Sequence, residues 1–461
     1  MKKFDQDLVS GSVLRSVWKL GWPVVLMQLV SGIHGFIDQV LVGHAEGYAA
    51  NAGIGVAWQL FLVIVVFVSS LFHGMGILIA RYTGRQDYDA IGRVAYDTLL
   101  TAFYVLVLIV APVGYFLSPY LLDWANASPE VQVHALPYLR ILFTGSFPLF
   151  LMFMLNGAFM SSGDPRTPMW FAFLTTAVNV VVSYVLITGL GPVPALGAVG
   201  AAIGTCVGPI PSVVIAISLI LKRKTVIPPP KTLRLLPDFA VVRAVIRIGV
   251  PAGLQAVLLN IGGAVLLAFV GSLEQSAAAQ AAYTICYGQL FSFVTWTGFG
   301  LRAACATVMG QNIGAGKLER GKSAVYVAAG LGFVWALVLG LLYWNIPVAL
   351  LGMFDATDPE VVRIGTDLLR YLTFSGLFVV VTLAFTGGMQ GAGDTKTPMF
   401  IAFVTQIVVL LGICYVFLLQ GTLSANVIWT SILVSHLSRL VLTYAMFYRG
   451  AWGHIRVEID E

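Results

Sequence analysis

The sequence predicts an all-α polytopic membrane protein: twelve transmembrane helices in two six-helix bundles, related by a pseudo-two-fold axis along the membrane normal, with a central cavity between the lobes. Three observations predict it. Of 461 residues, 58% are hydrophobic and 10% charged, where a water-soluble domain carries about 25% charged residues. Apolar stretches of about 20 residues, the helical span of a bilayer core, recur along the whole chain. The second half of the chain also repeats the first.

Spans bounded at charged or Gly/Pro-rich breaks fall near 16-42, 49-80, 92-121, 131-160, 168-190 and 195-221, then 245-272, 276-310, 323-353, 365-390, 398-420 and 424-448. The chain's 28 Phe, 10 Trp and 48 Gly fit, because aromatics settle at bilayer interfaces and Gly permits close helix crossings. No cleavable signal peptide is evident in "MKKFDQDLVSGSVLRSVWKLG". Cys206, Cys286, Cys305 and Cys414 all lie within spans and have no metal-binding spacing, so they are expected to be free, small apolar residues.

The net charge of +5 does not indicate nucleic-acid binding. Of 26 Lys and Arg, 21 fall at the two ends and in the even-numbered loops, one (Arg363) falls on the opposite side, and Arg140, Arg302, Arg370 and Arg439 lie within spans. This positive-inside asymmetry places both termini in the cytoplasm, as expected for a multi-pass protein of the inner (plasma) membrane.

The duplication is explicit. "PEVQVHALPYLRILF" at 129-143 returns as "PEVVRIGTDLLRYLT" at 359-373, and "GDPRTPMWFAFLT" at 163-175 returns as "GDTKTPMFIAFVT" at 393-405. "KLGWP" at 19-23 is echoed by "RIGVP" at 247-251. Because the unit has an even number of spans, the two copies enter the membrane with the same orientation. The expected organisation is an N-terminal lobe 1-221, a basic, Pro-rich cytoplasmic linker 222-244, and a C-terminal lobe 245-461. The repeated "GD-x-[RK]-TPM" reads as a tight cytoplasmic turn, with Gly163 and Gly393 after one helix and Pro168 and Pro398 opening the next.

These features resemble the multidrug and toxic compound extrusion (MATE) family of the multidrug/oligosaccharidyl-lipid/polysaccharide flippase superfamily. The likeness is carried by the six-plus-six plan, by "KLGWPVVLMQLVSGIHGFIDQVLVG" in the first span and by "GMQGAGDTKTPM" after the tenth. The resemblance implies a secondary antiporter, not an enzyme. It would export cationic or amphipathic organic compounds by alternating access in exchange for H+, with Na+ the alternative ion, no cofactor, and a monomer as the expected state. Of two other readings, a lipid-linked precursor flippase should line its cavity with several cations, and the in-span arginines here are few and scattered. An intramembrane enzyme finds no HExxH and no GxSxG.

The residues supply their own argument for a site. A carboxylate within a span costs about 2.5 to 3.5 kcal/mol on insertion scales, so Asp38 is a functional candidate by default. Met27, Ser31, His34 and Asp38 recur at spacings of 4, 3 and 4 and form one helix stripe that should face the protein interior. Pro23 removes a backbone hydrogen bond near the start of that helix and allows a bend. His34 is a candidate proton relay.

Thr176, Asn179 and Ser183 form a second polar stripe in the fifth span, and "AVGAAIGT" in the sixth is a small-residue packing run that ends at Thr205. The resemblance implies a cation site at Asp38, Asn179, Ser183 and Thr205. Ser31, His34, Asn156 and Thr176 are cavity or substrate candidates, and a Na+ ion would use Asp38, Asn179 and Thr205. Ser183 stands where many relatives carry a second acid, which favours H+: a proton needs one titratable group, whereas a metal ion benefits from several charged oxygens.

The second half lacks these acids. Leu266 answers Asp38, and neither "VPAGLQAVLLNIGGAVLLAFVG" in the seventh span nor "YLTFSGLFVVVTLAFTGGMQ" in the tenth contains a carboxylate. Arg140 and Arg370 occupy equivalent positions, which suggests an architectural role, while the pair His436 and Arg439 in the last span has no assigned role.

Overall fold

The computed structural model describes residues 5–125, 127–190, 192, 194–354, 356, 358–455, 457 and 459; the side chains at 32–36, 39, 48, 49, 63, 67 and 69, His34 among them, lie outside the described residues. Every regular element among the described residues is a helix. The first six passages are α1 (Val13–Glu46), α2 (Tyr48–Arg85), α3 (Tyr88–Trp124), α4 (Pro129–Gly145 with Phe147–Ser161), α5 (Arg166–Thr188) and α6 (Gly197–Leu221). The next six are α7 (Phe239–Gly271), α8 (Ser276–Tyr283 through Ser292–Gly314), α9 (Leu318–Asn345), α10 (Pro359–Gly391), α11 (Lys396–Leu419) and α12 (Ala425–Arg449).

Ten of these are each long and apolar enough to cross a membrane, and α4, bent by 52° at Ser146, makes an eleventh. The twelfth, α8, opens as an α-helix over Ser276–Tyr283 and passes through a π stretch over Thr284–Leu290 before Ser292–Gly314. All four cysteines are free and buried.

Sequence punctuation accounts for the helix ends. The duplicated turn places Gly163 at φ 91° and Gly393 at φ 99°, in the left-handed region that a β-carbon disfavours. The following aspartates cap the next helices: Asp164 accepts from the Thr167 amide (3.3 Å) and hydroxyl (3.0 Å), and Asp394 from the Thr397 amide (3.0 Å). At α10, Asp358 accepts from the Glu360 and Val361 amides, and Pro359 takes the first helical position, where a missing N–H costs nothing.

The chain divides into two compact units. The first contains residues 22–250 with both extreme ends; the second contains 6–21 and 251–456. The changeovers therefore lie inside α1 and α7, beside Pro23 and at Pro251, and residues 222–239 belong wholly to the first unit.

Within the second unit, the N-terminal segment is tied to the α8–α9 turn. The Asn312 amide and the Lys317 ammonium donate to the carbonyls of Leu8 (3.2 Å) and Val9 (3.0 Å). Within the first unit, the start of α7 lies backbone to backbone on α2: a β-carbon on Gly249 would stand 1.9 Å from the Ser70 carbonyl oxygen.

Arg140 and Arg370 lie over aromatic rings of the preceding helix in their own units, Tyr115 at 4.5 Å and Trp344 at 5.9 Å. Guanidinium charge over a ring face is a favourable contact, and Arg370 also lies 3.7 Å from the Asp367 carboxylate.

Candidate functional site

Asp38 sits in the last third of α1, about two turns before its end at Glu46, and is 6% exposed, a carboxylate enclosed by the first unit. From α4, buried Tyr138 is near enough for its hydroxyl to feel the charge of Asp38, and Cys206 of α6 lies close to the same hydroxyl. Helices α4 and α6 are themselves pressed together, because the Cys206 thiol donates to the Ile141 carbonyl at 3.7 Å. Gly145 leaves room for that sulfur, which would lie 3.1 Å from a β-carbon there.

The small-residue run of α6 then brings in α5. A β-carbon on Gly204 would stand 2.1 Å from the Ser183 hydroxyl, and one on Gly208 would stand 2.9 Å from Cβ of Asn179. Only glycines permit this approach. Thr205 stands next to Gly204 and is buried, as are Asn179 and Ser183. Both amide atoms of Asn179 and the Ser183 hydroxyl find no hydrogen-bond partner among the described residues, and the same holds for Oδ1 of Asn156 on α4. Buried polar atoms left unused in this way are costly, and they call for an explanation such as a bound ion or water.

The remaining sequence candidates are placed as follows. Pro23 is buried inside an unbroken α1, Met27 and Thr176 are half-buried, and Ser31 is exposed, so the α1 stripe is not uniformly enclosed. His34 lies outside the described side chains. Beside Thr176, the Thr175 hydroxyl pairs with that of Ser212 on α6 at 3.0 Å and adds a further α5–α6 tie.

Two residues escaped the sequence reading. Tyr138 resembled any membrane-helix aromatic; the usable signal was that its repeat counterpart is Leu368, so the hydroxyl is peculiar to the first half. Glu46, at the end of α1, accepts from the Ala198 amide at 2.9 Å and lies 3.4 Å from Nδ1 of His134 on α4. It thereby ties the Asp38 helix to the start of α6, where a carboxylate also suits the helix N-terminus. Gly197 makes this possible: its φ is 50°, and a β-carbon there would fall within bonding distance of the Glu46 carboxylate.

Comparisons with known proteins agree with this architecture. The MatE family model matches the chain twice, over residues 23–185 and 251–416, and each match opens at one of the paired prolines. A probable multidrug resistance protein NorM of Thermotoga maritima is 24% identical over 95% of this chain and 93% of its own length. The multidrug export protein MepA of Staphylococcus haemolyticus is 24% identical over 87% and 86%. Among solved structures, the outward-facing conformation of a multidrug resistance MATE family transporter superposes with a TM-score of 0.89 at 20% identity, covering 98% of both chains.

Proposed function

The chain belongs to the MatE family, and from that premise we propose that it is a secondary antiporter that exports cationic or amphipathic organic compounds in exchange for protons taken up at Asp38. The observation that carries this reading is the burial of one carboxylate, Asp38, within the apolar α1 of the first unit, whose α5 and α6 bury neutral polar side chains of their own. A single acid among neutral neighbours suits a proton, which binds covalently and needs one basic site.

In the proposed cycle the ionised carboxylate holds the cargo. Protonation from outside removes its charge, the polar atoms of Asn179, Ser183 and Thr205 reorganise around the neutral acid, and the cargo is released. Tyr138 stands by to hydrogen-bond the ionised form. Alternating access of the two repeats is the proposed motion, with both termini in the cytoplasm and the bilayer an inner (plasma) membrane.

The energetics suffice: one charge crossing 100 mV yields about 2.3 kcal/mol, and each unit of pH difference adds about 1.4 kcal/mol. A monovalent cation exchanged one for one for a proton moves no net charge, so the pH difference alone would drive it.

A Na+ reading is favoured by one observation, the unused oxygens of Asn179 and Ser183, which with Asp38 and Thr205 are the hard ligands such an ion takes. Both readings are tested by efflux of a fluorescent organic cation from proteoliposomes under a pH gradient and then a Na+ gradient, with Asp38→Asn as comparison. Efflux driven by pH and lost in the variant supports proton exchange; efflux driven only by Na+ replaces it with the second reading. An Asp38→Asn protein that transports like the intact one would overturn the role of Asp38.

A further inference from the structure

The second unit holds a charged cluster that the cycle above does not use. Arg439, on α12, is a half-buried guanidinium inside a membrane span. Its Nε donates to the Thr405 hydroxyl at 2.9 Å and its Nη2 to Oε1 of Gln406 at 2.6 Å. Both partners are neutral, and among the described residues no carboxylate pairs with it. A guanidinium has five N–H donors in a planar fork; two are used here, and three remain, two on Nη1 and one on Nη2.

The surroundings are built rather than incidental. Thr405 and Gln406 lie in a π-helical stretch of α11, Phe403–Leu411, and Tyr287 lies in the π-helical stretch of α8. Single π segments inside α-helices occur frequently at functional sites. Gln406 is held over Gly262 of α7, where a β-carbon would come within 2.2 Å of its Cγ. The Ser435 hydroxyl fastens α12 to the same stretch by donating to the Thr405 carbonyl at 2.8 Å.

Beside the guanidinium runs an aromatic ladder of Tyr283, Tyr287 and Phe291, with ring centroids 5.1 and 5.3 Å apart. It is continued by the His436 ring stacked on Phe291 at 6.2 Å. The half-buried Tyr287 is within reach of the Arg439 charge. His436 is 6% exposed, and its Nδ1 finds no partner among the described residues.

An uncompensated cation in a span is expensive, and a planar fork with free donors matches a carboxylate in a bidentate manner. We propose that the Tyr287, Gln406, His436 and Arg439 cluster of the second unit is a binding site for the carboxylate of an organic anion or zwitterion, with the aromatic ladder meeting the organic body. The cargo range of the protein then includes acids as well as cations. This proposal rests on the export reading for its cargo, but binding itself can be read without any gradient, so failure of transport and failure of this site are told apart.

The test is equilibrium binding of radiolabelled benzoate to the full-length protein in lipid nanodiscs, with benzamide and chloride as competitors. We expect saturable benzoate binding that benzamide, of the same shape but uncharged, competes for at least tenfold less well. Arg439→Gln should weaken binding at least tenfold, and Arg439→Lys should restore part of it. Absence of saturable binding, equal competition by benzamide, chloride competing mole for mole, or a folded Arg439→Gln that binds benzoate unchanged would each overturn the proposal. Should Arg439→Gln fail to fold, the benzoate–benzamide comparison on the intact protein decides.

Discussion

Where α1 of the first half carries Asp38, α7 of the second carries Leu266, and both side chains are buried, at 6% and 1% exposed. The same substitution of character recurs on α4 and α10, where Tyr138 is answered by Leu368. In the other direction, the regular α5 of the first half is answered by α11 with its π segment, and Arg439, which pairs with no carboxylate among the described residues, lies against that segment. Two copies of one fold have thus kept their helix lengths and turn chemistry while acquiring charges of opposite sign in their interiors. The difference teaches that the repeated scaffold does not by itself specify the chemistry; a few side chains per copy do.

The sharpest way to break the comparison is to give the second unit the first unit's acid. Leu266 belongs to an apolar core with Leu290, Phe291 and Val294, and none of these can hydrogen-bond a carboxylate. Leu266→Asp is expected to destabilise the protein by about 2.5 to 3.5 kcal/mol, read as a fall of several degrees in the midpoint of thermal unfolding in a fixed detergent. A variant as stable as the parent would show that this core is wet, and the asymmetry argued above would fail.

Next in size is a matched pair of glycines. Gly249 of the first unit is jammed against the Ser70 carbonyl, whereas its repeat counterpart Gly21, in the second unit, leaves 3.6 Å between a β-carbon and the Leu301 side chain. Gly249→Ala must move backbone and is expected to cost about 1 to 3 kcal/mol. Gly21→Ala should lie within about 0.5 kcal/mol of the parent. Thermal midpoints measured side by side check both, and equal effects would contradict the geometry.

Glu46 and its counterpart Glu274 extend the contrast to the helix ends. Glu46 is anchored to the Ala198 amide and beside His134; Glu274 is exposed, and Ile364 stands at the repeat position of His134. Glu46→Ala should cost about 0.5 to 2 kcal/mol, the range of a lost helix N-cap, and Glu274→Ala nothing measurable by the same assay. Transport by Glu46→Ala should also fall, since the carboxylate ties the Asp38 helix to α6.

How much of this could be read from the sequence follows from what carries information there. The spans and the duplication were legible because apolar length and repeated Gly/Pro/Asp turns are local signals. Asp38 was legible because a carboxylate stands out in an apolar run. Tyr138 and Glu46 were not: an aromatic inside a span and an acid at its end are ordinary until another helix is placed beside them. The π stretches at Thr284–Leu290 and Phe403–Leu411 have no marker residue, since an added residue per turn is a matter of backbone geometry. His436 and Arg439 were visible but unassigned, because their meaning depends on the neutrality of Thr405 and Gln406 across the helix interface.

The smallest expected effect concerns the two segments that precede α1 and α7. In the first unit, the segment before α7 is held to α3 by charge: Arg93 donates to Asp238 at 2.6 Å, and Lys231 pairs with Asp89 at 2.6 Å. In the second unit, the segment before α1 is held by Lys317 and Arg320 donating to the main-chain carbonyls of Val9 and Asp7, acceptors that do not titrate.

The Arg93 hydrogen bond holds the Asp238 carboxyl below its ordinary value. A carboxyl lowered in the folded state contributes stability above its unfolded pKa of about 3.9 and loses it as pH falls through the lower folded value. Hydrogen exchange over 231–238, corrected for intrinsic rate, should therefore be flat from neutral pH down to about 5 and rise below about 4, more steeply than over residues 7–16. Since Arg93 is partly exposed, the pair is worth about 0.2 to 1 kcal/mol, so Asp238→Asn at neutral pH should speed trypsin cleavage after Lys231 and Arg234 only a few-fold. Equal pH dependence in both segments would mean that charge does not distinguish the two straps.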